Sequence, residues 1–207
     1  MPATSCQRCG TCCRKGGPAL HTDDLDLLAH IPMSDLVCLR KGEPVFDPRA
    51  DSLLPLRGEL LKIRGKGAGW ECVYFEPGDN SCSVYGQRPL ECRSLSCSDT
   101  CEIFEVMGRP PLTREDVVPK ESALWACIVE HEQSFSADRA LRLARQREAA
   151  HSVPGELDDM LRRELAFRTV LAQRVQTADE ALWAYFGRPL WMVLLPMGQV
   201  FARYENS

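Results

Sequence analysis

Apolar positions repeat at helical spacing in the C-terminal half and only in short runs in the N-terminal half. From residue 113 onward, Glu121–Glu132 and Ala137–Ala150 read as helices, and Pro154-Gly155 breaks the chain after them. Residues 156–176 form a longer helical pattern, with Leu157, Met160, Leu161, Leu165 and Ala172 near one face. A last helix is expected over 178–186, followed by an apolar tail, 190–204, interrupted by Pro196. In the N-terminal half, Thr22-Asp23-Asp24 reads as a helix start, with the helix carrying Leu25, Leu27 and Leu28 and stopping before Pro32. Ser34-Asp35 suggests a second short helix through Leu39, and Leu60–Arg64 reads as a strand. The runs 71–75 and 81–85 are strand-like. They are joined by Glu76-Pro77-Gly78-Asp79-Asn80, whose residues supply turn geometries, so a β-hairpin is expected. Arg88-Pro89 then opens a turn of helix.

The resulting expectation is a helix-dominated α+β fold, with a small irregular unit carrying the hairpin packed on a C-terminal helical region. Pro110-Pro111 marks the joint, dividing the chain into 1–107 and 108–207. Charge narrows the range of partners. The net charge of −4 is spread evenly: 12 basic residues face 13 acidic ones in 1–101, and 13 face 16 afterwards. Neither half offers the basic surface that a phosphate backbone requires, so nucleic acid is not expected as a partner. The longest apolar run, residues 190–195, is too short to span a bilayer, and Met1–Gln7 has no apolar signal core. A cytoplasmic protein with no membrane partner is expected.

Cysteine changes the picture most. Ten of the eleven cysteines fall within the first 101 residues. Clustered thiols in a reducing compartment serve metal or redox chemistry rather than disulfides. Cys6-x-x-Cys9-x-x-Cys12-Cys13 lets neighbouring thiolates curl onto one centre, as in the arc that wraps an iron–sulfur cluster. Zinc uses the same two-residue spacing, usually in two separated pairs. Cys12 and Cys13 are adjacent, so their side chains are expected to diverge and not to share one metal atom. Cys72 and Cys82, near the hairpin turn, and Cys92, in the turn of helix after it, would return thiolates to the arc. Cys97 and Cys101 follow, and the ten thiols could supply one centre or two. Arg8, Arg14, Lys15 and Arg93 lie within two residues of these cysteines, Arg88 lies four before Cys92, and all could offset thiolate charge.

These blocks resemble the CxxCxxCC cysteine-cluster family of zinc- or iron-chelating domains (YkgJ type). The start, Cys6-Gln-Arg-Cys9-Gly-Thr-Cys12-Cys13, matches its signature. So do Cys72-Val-Tyr-Phe and Cys82-Ser-Val-Tyr85-Gly-Gln-Arg88-Pro89-Leu-Glu-Cys92-Arg93. The similarity covers about residues 5–97. It implies chelation by Cys6, Cys9, Cys12 or Cys13, Cys72, Cys82 and Cys92. A flagellin lysine methylase is similar in this segment and is associated with an iron–sulfur cluster, so an enzymatic role stays open. Cys97 and Cys101 are additions to the family pattern.

The sequence therefore points to a metal-binding protein. Its occupant is read as an iron–sulfur cluster, of the 4Fe-4S kind, with a redox or electron-transfer role and an unknown protein or redox partner. The alternatives are a structural zinc module for protein interaction and a metal-dependent modification enzyme. Glu71, Glu91 and His21 are candidate bases by proximity alone. Cys38, in an apolar stretch, reads as a buried structural thiol. The pair Cys127 and His131 reads as a core cysteine and a surface histidine. The stripe Arg139, Arg142, Arg145 reads as a solvated face, and Trp183, Tyr185, Phe186 and Trp191 as core or interface.

Overall fold

The computed structural model of the chain describes residues 6–67, 69–97, 99–146 and 152–205. It opens with a single helical turn, α1 (Thr11–Arg14), entered through Gly10 at φ 75°. A Cβ at Gly10 would fall 2.8 Å from the Phe75 ring, so both the backbone angle and the close approach require glycine here. The expected helix after Thr22 forms as a 3-10 helix over Thr22–Ala29, capped reciprocally by His21 and Asp24. A 3-10 turn, Met33–Asp35, leads into β1 (Leu36–Leu39). Then come β2 (Pro44–Asp47), β3 (Ser52–Pro55) and β4 (Leu60–Ile63). β1 and β4 pair antiparallel, from Leu36↔Ile63 to Leu39↔Leu60, and the β2–β3 hairpin projects between them.

Two very short antiparallel pairs follow: β5 (Gly65–Lys66) with β6 (Glu71–Cys72), and β7 (Phe75–Glu76) with β8 (Ser81–Cys82). α2 (Leu90–Ser94) and α3 (Cys101–Val106) complete the cysteine-rich half. The rest is α4 (Arg114–Val117), α5 (Ala123–Ser134), α6 (Ala137–Arg145) and α7 (Gly155–Val175), then α8 (Trp183–Phe186), α9 (Leu190–Leu194) and closing 3-10 turns to Tyr204. The architecture is helix-dominated α+β with small antiparallel hairpins, as the pattern of apolar positions implies.

Two local expectations are corrected. Residues 36–39 form a strand, not the end of a helix. Leu36, Val37 and Cys38 are all fully buried, and a continuous apolar run is satisfied by pairing with β4 where no polar helix face exists. The hairpin over 76–80 is present, with Asn80 at φ 54°, but each strand is two residues long. Glu71–Cys72 pairs with Gly65–Lys66 instead, and Tyr85 begins a 3-10 turn. The β2–β3 hairpin was not anticipated. Its alternation is weak, because Phe46, Leu53 and Leu54 are exposed.

The helical half follows its periodicity more closely. Ala137, Ala140, Leu141 and Ala144 of α6 pack with Leu157, Met160 and Leu161 of α7 and with Leu190, Val193 and Leu194 of α9. Ser122 and Ser136 cap α5 and α6 by accepting from Trp125 N and Arg139 N. α6 is described to Gln146, and the end of the helix expected to Ala150 lies outside the described residues. Trp183, Phe186 and Trp191 are buried. Arg139, Arg142 and Arg145 are exposed, the first two paired with Glu156 and Asp138. Cys127 and His131 reverse their expected places. His131 is 1% exposed among Phe135, Phe167 and Phe186, and Cys127 is half-buried, because α5 turns its histidine face inward toward α7.

The two halves share a core. Leu20, Leu36, Leu61, Ile63, Cys72 and Phe75 pack with Leu112 and with Ala184 from α8. Past the prolines, Leu112 N donates to Leu20 O at 2.8 Å and Leu61 N donates to Leu112 O at 2.7 Å. Buried Arg40, after β1, donates to Phe135 O at 3.1 Å. No helix among the described residues is long and apolar enough to cross a membrane.

Candidate metal centre

Four elements carry thiols toward one place. α1 holds Cys12 and Cys13, β6 holds Cys72, β8 holds Cys82 opposite Phe75, and α2 holds Cys92. Cys12 and Cys13 do not diverge: their sulfurs stand 3.9 Å apart. The one-turn helix brings consecutive side chains around the same end, which extended backbone would not. Arg14 fastens this turn to the β7–β8 hairpin. Its guanidinium donates to Cys9 O at 3.2 Å and to Asn80 Oδ1 at 2.6 Å, and lies 4.8 Å over the Phe75 ring.

The electrostatics mark the thiols as neighbours. Burial, then repulsion from Cys12, Cys72 and Cys82, pushes the Cys13 thiol up to about 12. Cys92 is raised well above its usual value by burial and then by Cys72, Cys12, Cys13 and Cys82. Burial also raises Cys72, and Cys82 adds to it, while Lys62 and Lys66 act the other way. Cys13, Cys72 and Cys92 thus resist ionisation beside their neighbours. A bound cation reverses that balance, since a thiol that coordinates a metal is deprotonated outright. The donor set is therefore of the kind that fits a thiolate-bound metal. Among the described residues, no three metal-donor side chains stand close enough to enclose an ion as they are placed.

Of the seven candidate ligands, Cys12 and Cys13 stand sulfur to sulfur, and Cys72, Cys82 and Cys92 lie near enough for charge on one to be felt by Cys13 or Cys92. Cys6 and Cys9 are not among the strongest influences on Cys13 or Cys92. The Cys6 sulfur accepts from Arg8 N at 3.4 Å. Cys9 is exposed beside Thr11 and Cys97; hydrogen bonding, first with Thr11, lowers its thiol from the usual range. Cys101 begins α3 in solvent, its thiol raised by Asp99. Cys38 is fully buried in the β1–β4 core, where burial holds its thiol well above the ordinary range.

The arginines expected to offset thiolate charge are engaged elsewhere. Arg8 and Arg88 lie 4.6 and 4.0 Å over the Tyr85 ring, and Arg93 sits 3.8 Å from Asp24. Lys62 and Lys66 serve Cys72 instead. Sequence reasoning missed them because the β5–β6 pairing that sets Lys66 beside the Cys72 strand was not expected; the one available signal was Lys62 alternating with apolar Leu61 and Ile63. His21 and Glu91, candidates by proximity, do meet: His21 Nε2 stands 3.3 Å from Glu91 Oε1.

No curated protein and no solved structure matches the chain. The family model described as "Putative zinc- or iron-chelating domain" matches residues 5–127, reaching past the cysteine block into α5. That match spans more than half of the chain and begins with the Cys6–Cys13 signature, so the chain belongs to the CxxCxxCC family of zinc- or iron-chelating domains.

Proposed function

We propose that this chain holds an iron–sulfur cluster through cysteine thiolates and uses it for electron transfer or redox sensing with a protein partner in the cytoplasm. The observation that carries this reading is the Cys12–Cys13 sulfur pair, 3.9 Å apart, with Cys72, Cys82 and Cys92 on three other elements within electrostatic range of it. Four thiolates complete a cubane cluster, and these five, with Cys6 and Cys9 on the adjoining arc, are the residues that would hold it. When bound, a cluster supplies one-electron chemistry. The protein's own contribution is a half-buried thiol set on short, cross-braced elements, with Lys62 and Lys66 tempering the charge at Cys72. A reducing compartment suits thiols that must stay free.

A zinc centre is the second reading, favoured by one distance. At a metal–sulfur length of about 2.3 Å, two ligands of one tetrahedral zinc lie roughly 3.8 Å apart. The Cys12 and Cys13 sulfurs are 3.9 Å apart. Zinc here would be structural, leaving the helical half to recognise a protein. Anaerobic purification, a visible spectrum and quantification of iron, sulfide and zinc per chain separate the two. The iron–sulfur reading expects a brown protein with matching iron and sulfide. A colourless protein with one zinc per chain would replace it with the zinc reading.

A further inference from the structure

Cys92 stands on a helix of five residues, far too short to hold its own place. What holds it is a set of contacts reaching back 66 to 72 residues, to the segment that follows α1. The Asp24 side chain is fully buried. Its Oδ2 accepts from His21 N at 3.1 Å, closing the cap of its own 3-10 helix, and its Oδ1 accepts from Leu90 N at 2.8 Å, at the start of α2. The Arg93 guanidinium, on α2, lies 3.8 Å from the same Oδ1. In return, Glu91 of α2 reaches to the N-terminal segment. Its Oε2 accepts from Ala19 N at 2.8 Å, and its Oε1 lies 3.3 Å from His21 Nε2.

We infer that Asp24, His21 and Glu91 form a reciprocal clamp that positions Cys92 against the Cys12–Cys13 turn, making them positioning residues of the metal centre. The inference rests on the thiolate reading of that centre. Burying a carboxylate is costly unless its oxygens are hydrogen-bonded, and each Asp24 oxygen accepts a backbone amide from a different segment. Only an acceptor can hold an amide from each segment. The segment 19–21 is itself fixed, since Leu20 N donates to Leu61 O at 2.9 Å. The clamp therefore ties α2 to the β1–β4 core and sets the separation between thiols that are 79 and 80 positions apart in sequence. Groups that orient metal ligands in this way, from just outside the coordination sphere, typically change metal affinity by about 10- to 100-fold when removed.

The test uses the full chain, reduced, with two readouts. One is alkylation of each cysteine by iodoacetamide in the metal-free protein, mapped by mass spectrometry. The other is cobalt(II) binding followed by the thiolate charge-transfer band. Asp24→Ala and Glu91→Ala should each speed alkylation of Cys92 severalfold, leave Cys38 protected, and weaken cobalt binding by about 10- to 100-fold. Asp24→Asn keeps one acceptor oxygen but turns an amide NH2 toward the other backbone amide, so it should recover only part of both, and Asp24→Glu less still. An unchanged Cys92 rate in both alanine variants would overturn the clamp. Equal opening of Cys38 would also overturn it, by making these residues general supports of the fold. If the unaltered chain binds no cobalt, the thiolate-centre reading fails on its own, and the alkylation rates still decide the clamp.

Discussion

In the C-terminal half, α7 runs 21 residues and buries Leu157, Met160 and Leu161 against α6 and α9. In the N-terminal half, no strand exceeds four residues and β5 through β8 have two each. The helical half also buries charge in satisfied form. Arg168 pairs with Glu164 and Asp179 and donates to Phe186 O and Gly187 O at 3.0 and 2.8 Å. The thiol cluster is the opposite case, a set of like groups that repel one another when ionised. One half is ordered by periodic apolar burial and completed ion pairs. The other is ordered by a small apolar core around β1 and β4 and, in the account proposed here, by the metal that joins its thiols.

Removing the metal should break this contrast most strongly. In small zinc domains a structural metal contributes on the order of 10 kcal/mol. Chelation under reducing conditions should strip hydrogen-exchange protection from β6 through α2 while α7 and the β1–β4 pair keep theirs. Uniform loss, or none, would contradict the division. Next in size is Arg168→Met, which leaves Glu164 buried without its paired guanidinium, with the Leu190 amide donating to it at 3.2 Å and His131 3.6 Å away. Breaking a buried pair in this way costs about 3–5 kcal/mol, read as a lower denaturation midpoint with unchanged metal content.

The same site gives the helical half a pH dependence. Burial holds His131 down at about 4, against an ordinary 6.5. The unfolded chain therefore binds a proton at this residue below about pH 6.5, and the folded chain does not until about pH 4. Stability from His131 is complete above 6.5 and declines as pH falls through that window, by roughly 3 kcal/mol in all. Glu164, held near 2 despite its burial by Arg168, His131 and Arg40, adds its own loss only below its ordinary 4.5. His131→Leu should flatten the fall in melting temperature between pH 6.5 and 5; an unaltered slope would refute the assignment. Smaller still, Cys38→Ser should cost about 1–2 kcal/mol, since the new hydroxyl enters a dry core, and leave metal content intact. Phe46→Ser, on the exposed face of the β2–β3 hairpin, should stay within about 0.5 kcal/mol.

How far the sequence could be read follows the same line. The helices from α5 to α7 were legible because their apolar positions repeat every three to four residues. The β7–β8 hairpin was legible from its turn residues. β1 was not, since a four-residue apolar run has no period of its own and only pairing with β4 decides it. The thiol block was legible from spacing, yet the closeness of Cys12 and Cys13 depends on a one-turn helix entered at a left-handed glycine. The Asp24 and Glu91 contacts were out of reach, because they join segments 66 to 72 residues apart that meet only across the fold, and Lys66 was missed because the short β5–β6 pairing has no turn signal of its own. His131 was misread because a histidine among charged residues looks exposed until α7 supplies Glu164.

The most direct test of the centre is differential alkylation of the full chain, metal-loaded against chelated, with every cysteine quantified. Cys12, Cys13, Cys72, Cys82 and Cys92 should be protected together by metal, while Cys101 and Cys127 react alike in both states. Loss of protection from two or more of the five while the metal stays bound, or metal protection centred on Cys101 or Cys127, would contradict a single four-thiolate centre assembled from α1, β6, β8 and α2.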